Sequence, residues 1–122
     1  MTTARLVLFA HGSVDPRWRA PFEKLLADLR ESLGADAVRL AYMEFARPGL
    51  EDVAAEAVRD GVSQLRVLPL FMAAGAHVAT DIPAQAQQAR SLGLDVEVLP
   101  PIGEHPRFVA LLRELAADAM PW

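Results

Sequence analysis

The three histidines of the chain each follow a short apolar run that has the composition of a buried strand. His11 comes directly after the first such run, at residues 5–10. His77 lies a few residues after the third run, at 65–70, and His105 follows the fourth, at 95–99. Neutral imidazole is a favoured ligand for cobalt, nickel, iron and zinc. With an ordinary pKa of about 6.5, imidazole also accepts protons at neutral pH. Two histidines that meet could therefore hold a divalent metal ion loosely and serve as proton acceptors beside it.

Other polar residues follow the same runs. Glu44, just past the second run, is either a further ligand or proton acceptor, or a solvated loop carboxylate. Ser13 lacks the G-x-S-x-G surroundings of a hydrolase nucleophile, so we expect it to cap a turn or to bind substrate. Arg17 and Arg47 have planar forks that suit carboxylates, although an arginine in such a position is more often an ordinary surface residue.

The composition excludes several classes of site and partner. There is no cysteine, which excludes disulfides, thiolate metal sites and cysteine nucleophiles. The net charge is -4 and Lys24 is the single lysine, which argues against a nucleic-acid partner. No apolar run approaches the length of a membrane span, which is about 20 residues, so no membrane partner is expected. No export signal is visible either, which favours a cytoplasmic location.

The apolar runs predict four strands, at residues 5–10, 37–43, 65–70 and 95–99, and a segment with helical spacing follows each of them. Four strand–helix units in series give a parallel sheet with helices on both faces. We therefore expect an α/β fold in which residues 1–122 form a single domain.

The helix boundaries depend on capping signals. For the third helix, Asp81 is the expected N-cap, Pro83 fits the first turn, and Gly93 fits the end. The last helix is predicted to be amphipathic, with apolar positions at Phe108, Leu111, Leu112, Leu115 and Ala119.

Open α/β sheets bind ligands beyond the carboxyl ends of their strands, where the strand order reverses. If the order is 2-1-3-4, the first and third strands are neighbours, and we expect His11 and His77 to face each other. His105 precedes Pro106 and an amphipathic segment, so we expect it to enter a helix instead.

Two motifs in these positions resemble a known family. HGS at residues 11–13 and GAHVATDIP at residues 75–83 resemble the class II chelatases, which insert metal into sirohydrochlorin. The similarity spans nearly the whole chain, because VDPR at 14–17, MEF at 43–45, and PIG at 101–103 followed by His-Pro also look like this family.

The resemblance implies a chelatase-like fold and a catalytic role for His11 and His77 as metal ligands and proton acceptors. From its position past the second run, we expect Glu44 to act with them in taking up the pyrrole protons. It implies insertion of Co²⁺ or Fe²⁺ into sirohydrochlorin or a related tetrapyrrole without ATP, in cobalamin or siroheme biosynthesis. No cofactor is expected beyond the metal substrate, which is Co²⁺, Fe²⁺ or Ni²⁺. Short members of the family form homodimers, so a homodimer is expected. The residues expected to contact the substrate are Ser13, Arg17, Arg47 and Gly75.

Some alternatives stay open at the level of sequence. Gly75 could simply provide a turn with positive φ. Four apolar residues near the strand ends form either an apolar floor for a macrocycle or part of the core: Met43, Phe45, Phe71 and Met72. The main functional alternative is a non-catalytic metal or tetrapyrrole carrier. A hydrolase is disfavoured because the chain has neither a nucleophile elbow nor a phosphate-binding glycine loop.

Overall fold

Strands and helices alternate along the part of the chain that the computed structural model describes, which is residues 3–73 and 75–121 apart from the side chains of Ala76 and His77. The strands are β1 (Ala4–Ala10), β2 (Val38–Tyr42), β3 (Gln64–Pro69) and β4 (Asp95–Val98). The helices are α1 (Pro16–Leu33), α2 (Leu50–Arg59), α3 (Ala76–Arg90) and α4 (Pro106–Ala119), and a 3-10 turn covers Ile102–Glu104. Each strand agrees with its predicted range to within one residue at either end.

The four strands form one parallel sheet in the order β2-β1-β3-β4, which is the order that the expected meeting of His11 and His77 requires. β1 therefore lies between β2 and β3. The carboxyl ends of these three strands lie at the same edge of the sheet, which we call the carboxyl edge. The loops that leave β1, β2 and β3 at this edge are neighbours in space, as a site made from them requires.

Helices cover both faces of the sheet, as predicted. On one face, α2 and α3 enclose the larger core, which includes Val7, Phe9, Leu65 and Val67 from the sheet and Leu50, Val53, Ala54, Ala57, Ile82 and Ala86 from the helices. On the other face, α1 packs Trp18, Phe22, Leu26 and Leu29 against a smaller cluster that includes Leu8, Leu40 and Tyr42.

The last helix is packed much less completely. Phe108 and Leu111 of α4 line a groove of about 520 Å³ with Leu68 and Leu99, on the face that α1 also covers. No described residue of α4 is buried, and Leu115 is 54% exposed. The apolar stripe predicted for this helix is therefore present but largely uncovered in the single chain. Within the described residues, no helix has both the length and the apolar character needed to cross a membrane.

The predicted start of the third helix is wrong. α3 begins at Ala76, after Gly75, so Asp81 lies inside the helix instead of capping it. Pro83 is also inside the helix. A proline removes one backbone hydrogen-bond donor from a helix. The helix nevertheless continues past Pro83, and the residues of its apolar face, such as Ile82 and Ala86, are buried in the core. Gly93 is confirmed in the turn that ends the helix, with a φ of +93° and its N–H donated to the Arg90 carbonyl.

Candidate active site

His11 and Glu44 meet at the carboxyl edge. His11 directly follows β1, and its Nε2 lies 3.2 Å from Oε1 of Glu44, which follows β2. The pairing of the two strands continues into these loops, because the Glu44 N–H donates to the His11 carbonyl at 3.0 Å. The two side chains are 40% and 30% exposed, so both are held in place and both remain open to solvent.

Gly12 is the residue that lets the two loops come so close. Its φ is +106°, a backbone conformation that glycine adopts without cost. A Cβ at this position would overlap the backbone carbonyl of Glu44. Sequence reasoning missed this positioning role, and the available signal was a glycine directly after a histidine at a strand end.

Aromatic rings flank His11 on two sides. The Phe71 ring is nearly perpendicular to the imidazole at a centroid distance of 6.2 Å, and the Phe45 ring is tilted at 6.4 Å. Phe71 and Met43 are buried in the core, whereas Phe45 and Met72 are exposed. The four apolar residues near the strand ends therefore divide into two core residues and two that are free to contact a ligand.

A second glycine fixes the loop that carries Met72. The N–H of Gly103 donates to the Phe71 carbonyl at 2.9 Å. A Cβ on Gly103 would overlap the backbone of Met72. The loop after β4 is thereby packed onto the loop after β3, which is a role that the PIG motif did not reveal in the sequence.

His77 lies in the first turn of α3, on the loop that leaves β3. Its side chain lies outside the described residues, so its expected approach to His11 stays a prediction. The backbone is compatible with that approach, because β1 and β3 are paired up to Phe9 and Pro69. Among the described side chains, no cluster of three or more His, Cys, Asp or Glu could hold a metal ion.

Ser13 and Arg17 both contribute to the start of α1. Ser13 Oγ accepts a hydrogen bond from the Asp15 N–H at 3.1 Å. Asp15 caps the helix, and its carboxylate forms an ion pair with the exposed Arg17 at 2.9 Å. The side chain and then the backbone N–H of Arg17 lower the pKa of Asp15 below its ordinary value. The described contacts of both residues are structural, and their expected contact with the substrate stays a prediction.

Arg47 is exposed on the loop after β2 and pairs with Asp52 at 3.0 Å. Asp52 also accepts the N–H of Gly49, which is the larger of two causes that lower its pKa, the other being Arg47. The guanidinium of Arg47 thus lies at the first turn of α2, with its remaining donors facing solvent. Its expected role in binding a carboxylate stays a prediction.

Gly75 does not supply a turn with positive φ, because its φ is −70°. It precedes the first residue of α3, and a Cβ built on it would meet no described atom within 4 Å. Neither its backbone conformation nor its described neighbours require glycine at this position. No described atom fills the space beside it, where a ligand could lie.

His105 is confirmed as a helix-entry residue. It is the N-cap of α4, and its Nδ1 accepts a hydrogen bond from the Arg107 N–H at 3.1 Å. His105 therefore uses one ring nitrogen to cap the helix. His11 differs, because its Nε2 faces the carboxylate of Glu44.

The chain matches the CbiX family model over residues 5–119. It is 29% identical over 115 residues to a sirohydrochlorin cobaltochelatase of Sulfurisphaera tokodaii. The aligned region covers 94% of this chain and 92% of that protein. Its structure resembles that of a Marinobacter aquaeolei protein described as a cobalamin biosynthesis CbiX protein, with a TM-score of 0.83 and 36% identity over 96% of this chain and 94% of that one.

A second solved structure is similar to this chain over only part of its own length. It is described as CbiX, the terminal enzyme for biosynthesis of siroheme in denitrifying bacteria. The two share 33% identity with a TM-score of 0.66, and the match covers 98% of this chain but 49% of that one. This chain therefore corresponds to about half of the longer protein.

Proposed function

Because the chain belongs to the CbiX family, we infer that it is a chelatase that inserts a divalent metal ion, Co²⁺ or Fe²⁺, into sirohydrochlorin in cobalamin or siroheme biosynthesis. Membership of this family sets aside the hydrolase alternative. Within the chain, the observation that best supports the proposal is the His11–Glu44 pair, in which a nitrogen and an oxygen that could each bind a metal ion lie 3.2 Å apart at the carboxyl edge of the sheet.

The separation of these two donors suits a shared metal ion. Nitrogen and oxygen ligands at about 2.0–2.2 Å from one metal, at angles between 90° and 109°, are roughly 2.8–3.6 Å apart. His11 Nε2 and Glu44 Oε1 are 3.2 Å apart, so they could bind the incoming metal without rearrangement. His77, from the neighbouring loop, is proposed as the next ligand. A site with few protein ligands holds its metal loosely, as transfer to another molecule requires.

The same donors account for the protons of the reaction. A divalent metal replaces two pyrrole N–H protons of the tetrapyrrole, and both must be accepted by a base. When the metal leaves His11 and Glu44, one lone pair is freed on each residue, and each can accept one proton. Both side chains are partly exposed, so the protons can pass on to solvent. We propose that this exchange needs no ATP.

We further propose that the protein works as a homodimer that associates through α4. The uncovered stripe includes Leu111, Leu112 and Leu115, and an exposed apolar patch of this kind is typical of an interface. The chain also spans about half of the longer CbiX protein, so a second copy would supply the missing half. Leu115→Glu should give a monomer in light scattering, whereas Val58→Glu, on an exposed position of α2, should leave the assembly unchanged. A native protein that is monomeric at micromolar concentration would contradict the proposal.

The cytoplasmic location stays a prediction.

The activity is tested by incubating the purified protein with sirohydrochlorin and Co²⁺, Fe²⁺ or Ni²⁺ separately, without ATP. The absorbance change of the tetrapyrrole measures the rate, and a sample without protein gives the spontaneous rate. An enzyme completes many turnovers for each protein molecule. A carrier would bind one equivalent and then stop, and that result would replace the proposed catalysis by transport.

Gly75→Ala tests the proposed contact between this residue and the substrate. The change should alter the free energy of unfolding by less than about 1 kcal/mol, because φ is −70° and no described atom is in the way. If the macrocycle lies against Gly75, the added methyl group should raise KM for sirohydrochlorin about tenfold or more. An unchanged KM would show that the substrate does not reach this residue.

A further inference from the structure

Phe45 combines two unusual properties beside the metal-binding pair. Its side chain is 64% exposed, although it is a large aromatic residue next to His11. Its φ is +64°, and it is the non-glycine residue with positive φ within the described part of the chain. A bulky residue in this left-handed region is uncommon, and residues held there cluster at functional sites.

The backbone conformation explains how two consecutive side chains reach the same histidine. In an extended chain, neighbouring side chains point to opposite sides. Here the Glu44 carboxylate lies 3.2 Å from His11 Nε2, and the ring of the next residue, Phe45, lies 6.4 Å from the imidazole centroid. The left-handed turn at Phe45 therefore brings an aromatic surface to the side of the His11–Glu44 pair.

Folding of the single chain gains little from this arrangement. The ring is mostly in solvent, so its burial does not offset the cost of the left-handed backbone. Phe71, the other ring beside His11, is buried and contacts Phe9 in the core. Of the two aromatic neighbours of His11, only Phe45 offers a free face to a bound molecule.

Resting on the proposed function, we propose that Phe45 is a substrate-contact residue, against which the apolar surface of the tetrapyrrole packs while His11 and Glu44 present the metal. The exposed Met72, on the loop after β3, offers a second apolar side chain at the carboxyl edge. A flat, conjugated ligand suits an exposed aromatic ring because the two surfaces can stack and exclude water.

The test measures binding of metal-free sirohydrochlorin and binding of Co²⁺ separately. Phe45→Ala and Phe45→Gly should each weaken sirohydrochlorin binding about tenfold or more. Co²⁺ binding should change by less than about threefold, because the donor atoms of His11 and Glu44 are untouched. In the full reaction KM for sirohydrochlorin should rise more than kcat falls. The matched control is Val58→Ala, an exposed apolar residue of α2, which should behave like the native protein in all three measurements.

Thermal stability gives an independent readout. Phe45→Gly should melt about 2–5 °C above Phe45→Ala, because glycine adopts the left-handed conformation freely and alanine does not. If Phe45 instead held the fold together, the glycine variant would melt well below the native protein, and that result would overturn the proposal. Native-like binding of sirohydrochlorin by both variants would also overturn it.

The binding measurement also separates this inference from the proposed catalysis. If the native protein binds sirohydrochlorin but never metallates it, the catalytic function fails, while weaker binding by the Phe45 variants still supports the contact. If the native protein metallates the substrate and the variants bind it normally, the contact at Phe45 alone is wrong. A native protein that does not bind sirohydrochlorin would overturn both.

Discussion

Alanine at His11 or at His77 should abolish the metallation of sirohydrochlorin while leaving the protein folded. Each change removes one imidazole that is proposed to bind the metal and to accept a pyrrole proton. General acid–base groups contribute about 10²–10⁴-fold to a rate, and the loss of a metal ligand adds to that effect. His11 is at a strand end and is 40% exposed, so its removal should cost little stability. The tetrapyrrole absorbance change measures activity, and circular dichroism checks the fold.

The third histidine provides the matched control for this experiment. His105→Ala removes the N-cap of α4, which should lower stability by about 0.5–2 kcal/mol, and metallation should be unchanged once light scattering shows the same assembly as the native protein. Glu44→Gln keeps the shape of the side chain but removes its charge and its proton-accepting carboxylate, so an intermediate loss of rate is expected. Unchanged turnover in His77→Ala would remove this residue from the mechanism and leave the His11–Glu44 pair to act alone.

Gly12→Ala should cause the largest loss of stability among the substitutions considered. The new Cβ would overlap the carbonyl of Glu44, and φ is +106° at this position. Backbone strain and the overlap together should lower the free energy of unfolding by about 3 kcal/mol or more. For a chain of this size, that loss corresponds to a decrease in Tm of about 10 °C or more. Urea unfolding and thermal melting both measure it.

Gly34→Ala separates the two contributions. Gly34 has a φ of +104°, almost the same as Gly12, but no described atom lies within 4 Å of its Cβ position. Because its ψ is 143°, Gly34 lies close to a region of backbone conformation that is nearly restricted to glycine. This variant should lose only the cost of that conformation, about 1–3 kcal/mol. If both variants lost the same stability, the loop after β2 would be free to move away, and the close contact at Gly12 would not be what fixes Glu44 beside His11.

The sheet could be predicted from the sequence because its strands are short apolar runs, and the segments between them have apolar residues at helical spacing. Each run is buried between two layers of helices, so its apolar composition alone identifies it as a strand. The strand order is a common one for parallel sheets of this kind. The start of α3 could not be predicted in this way. Asp81 and Pro83 are good local start signals, but the helix extends past them to Ala76 because capping preferences are weak compared with packing.

The candidate site, like the fold, could be predicted in part from the sequence. The positions of His11 and Glu44 follow from the strand ends at which they occur. The roles of Gly12 and Gly103 do not, because each depends on which distant backbone segment crosses the glycine. Likewise, the sequence could not tell the buried Phe71 from the exposed Phe45, since both are aromatic residues after a strand and only tertiary packing distinguishes them.

The sparse packing of α4 has a consequence for the dynamics of the molecule. A helix with few buried apolar contacts opens locally at a lower free energy than the sheet beneath it, so its amide hydrogens exchange with solvent sooner. Association through the stripe of Leu111, Leu112 and Leu115 would suppress this opening and, by mass action, make it depend on protein concentration. Dilution would then loosen the C-terminal helix first, while the strands that carry His11 and Glu44 stay folded.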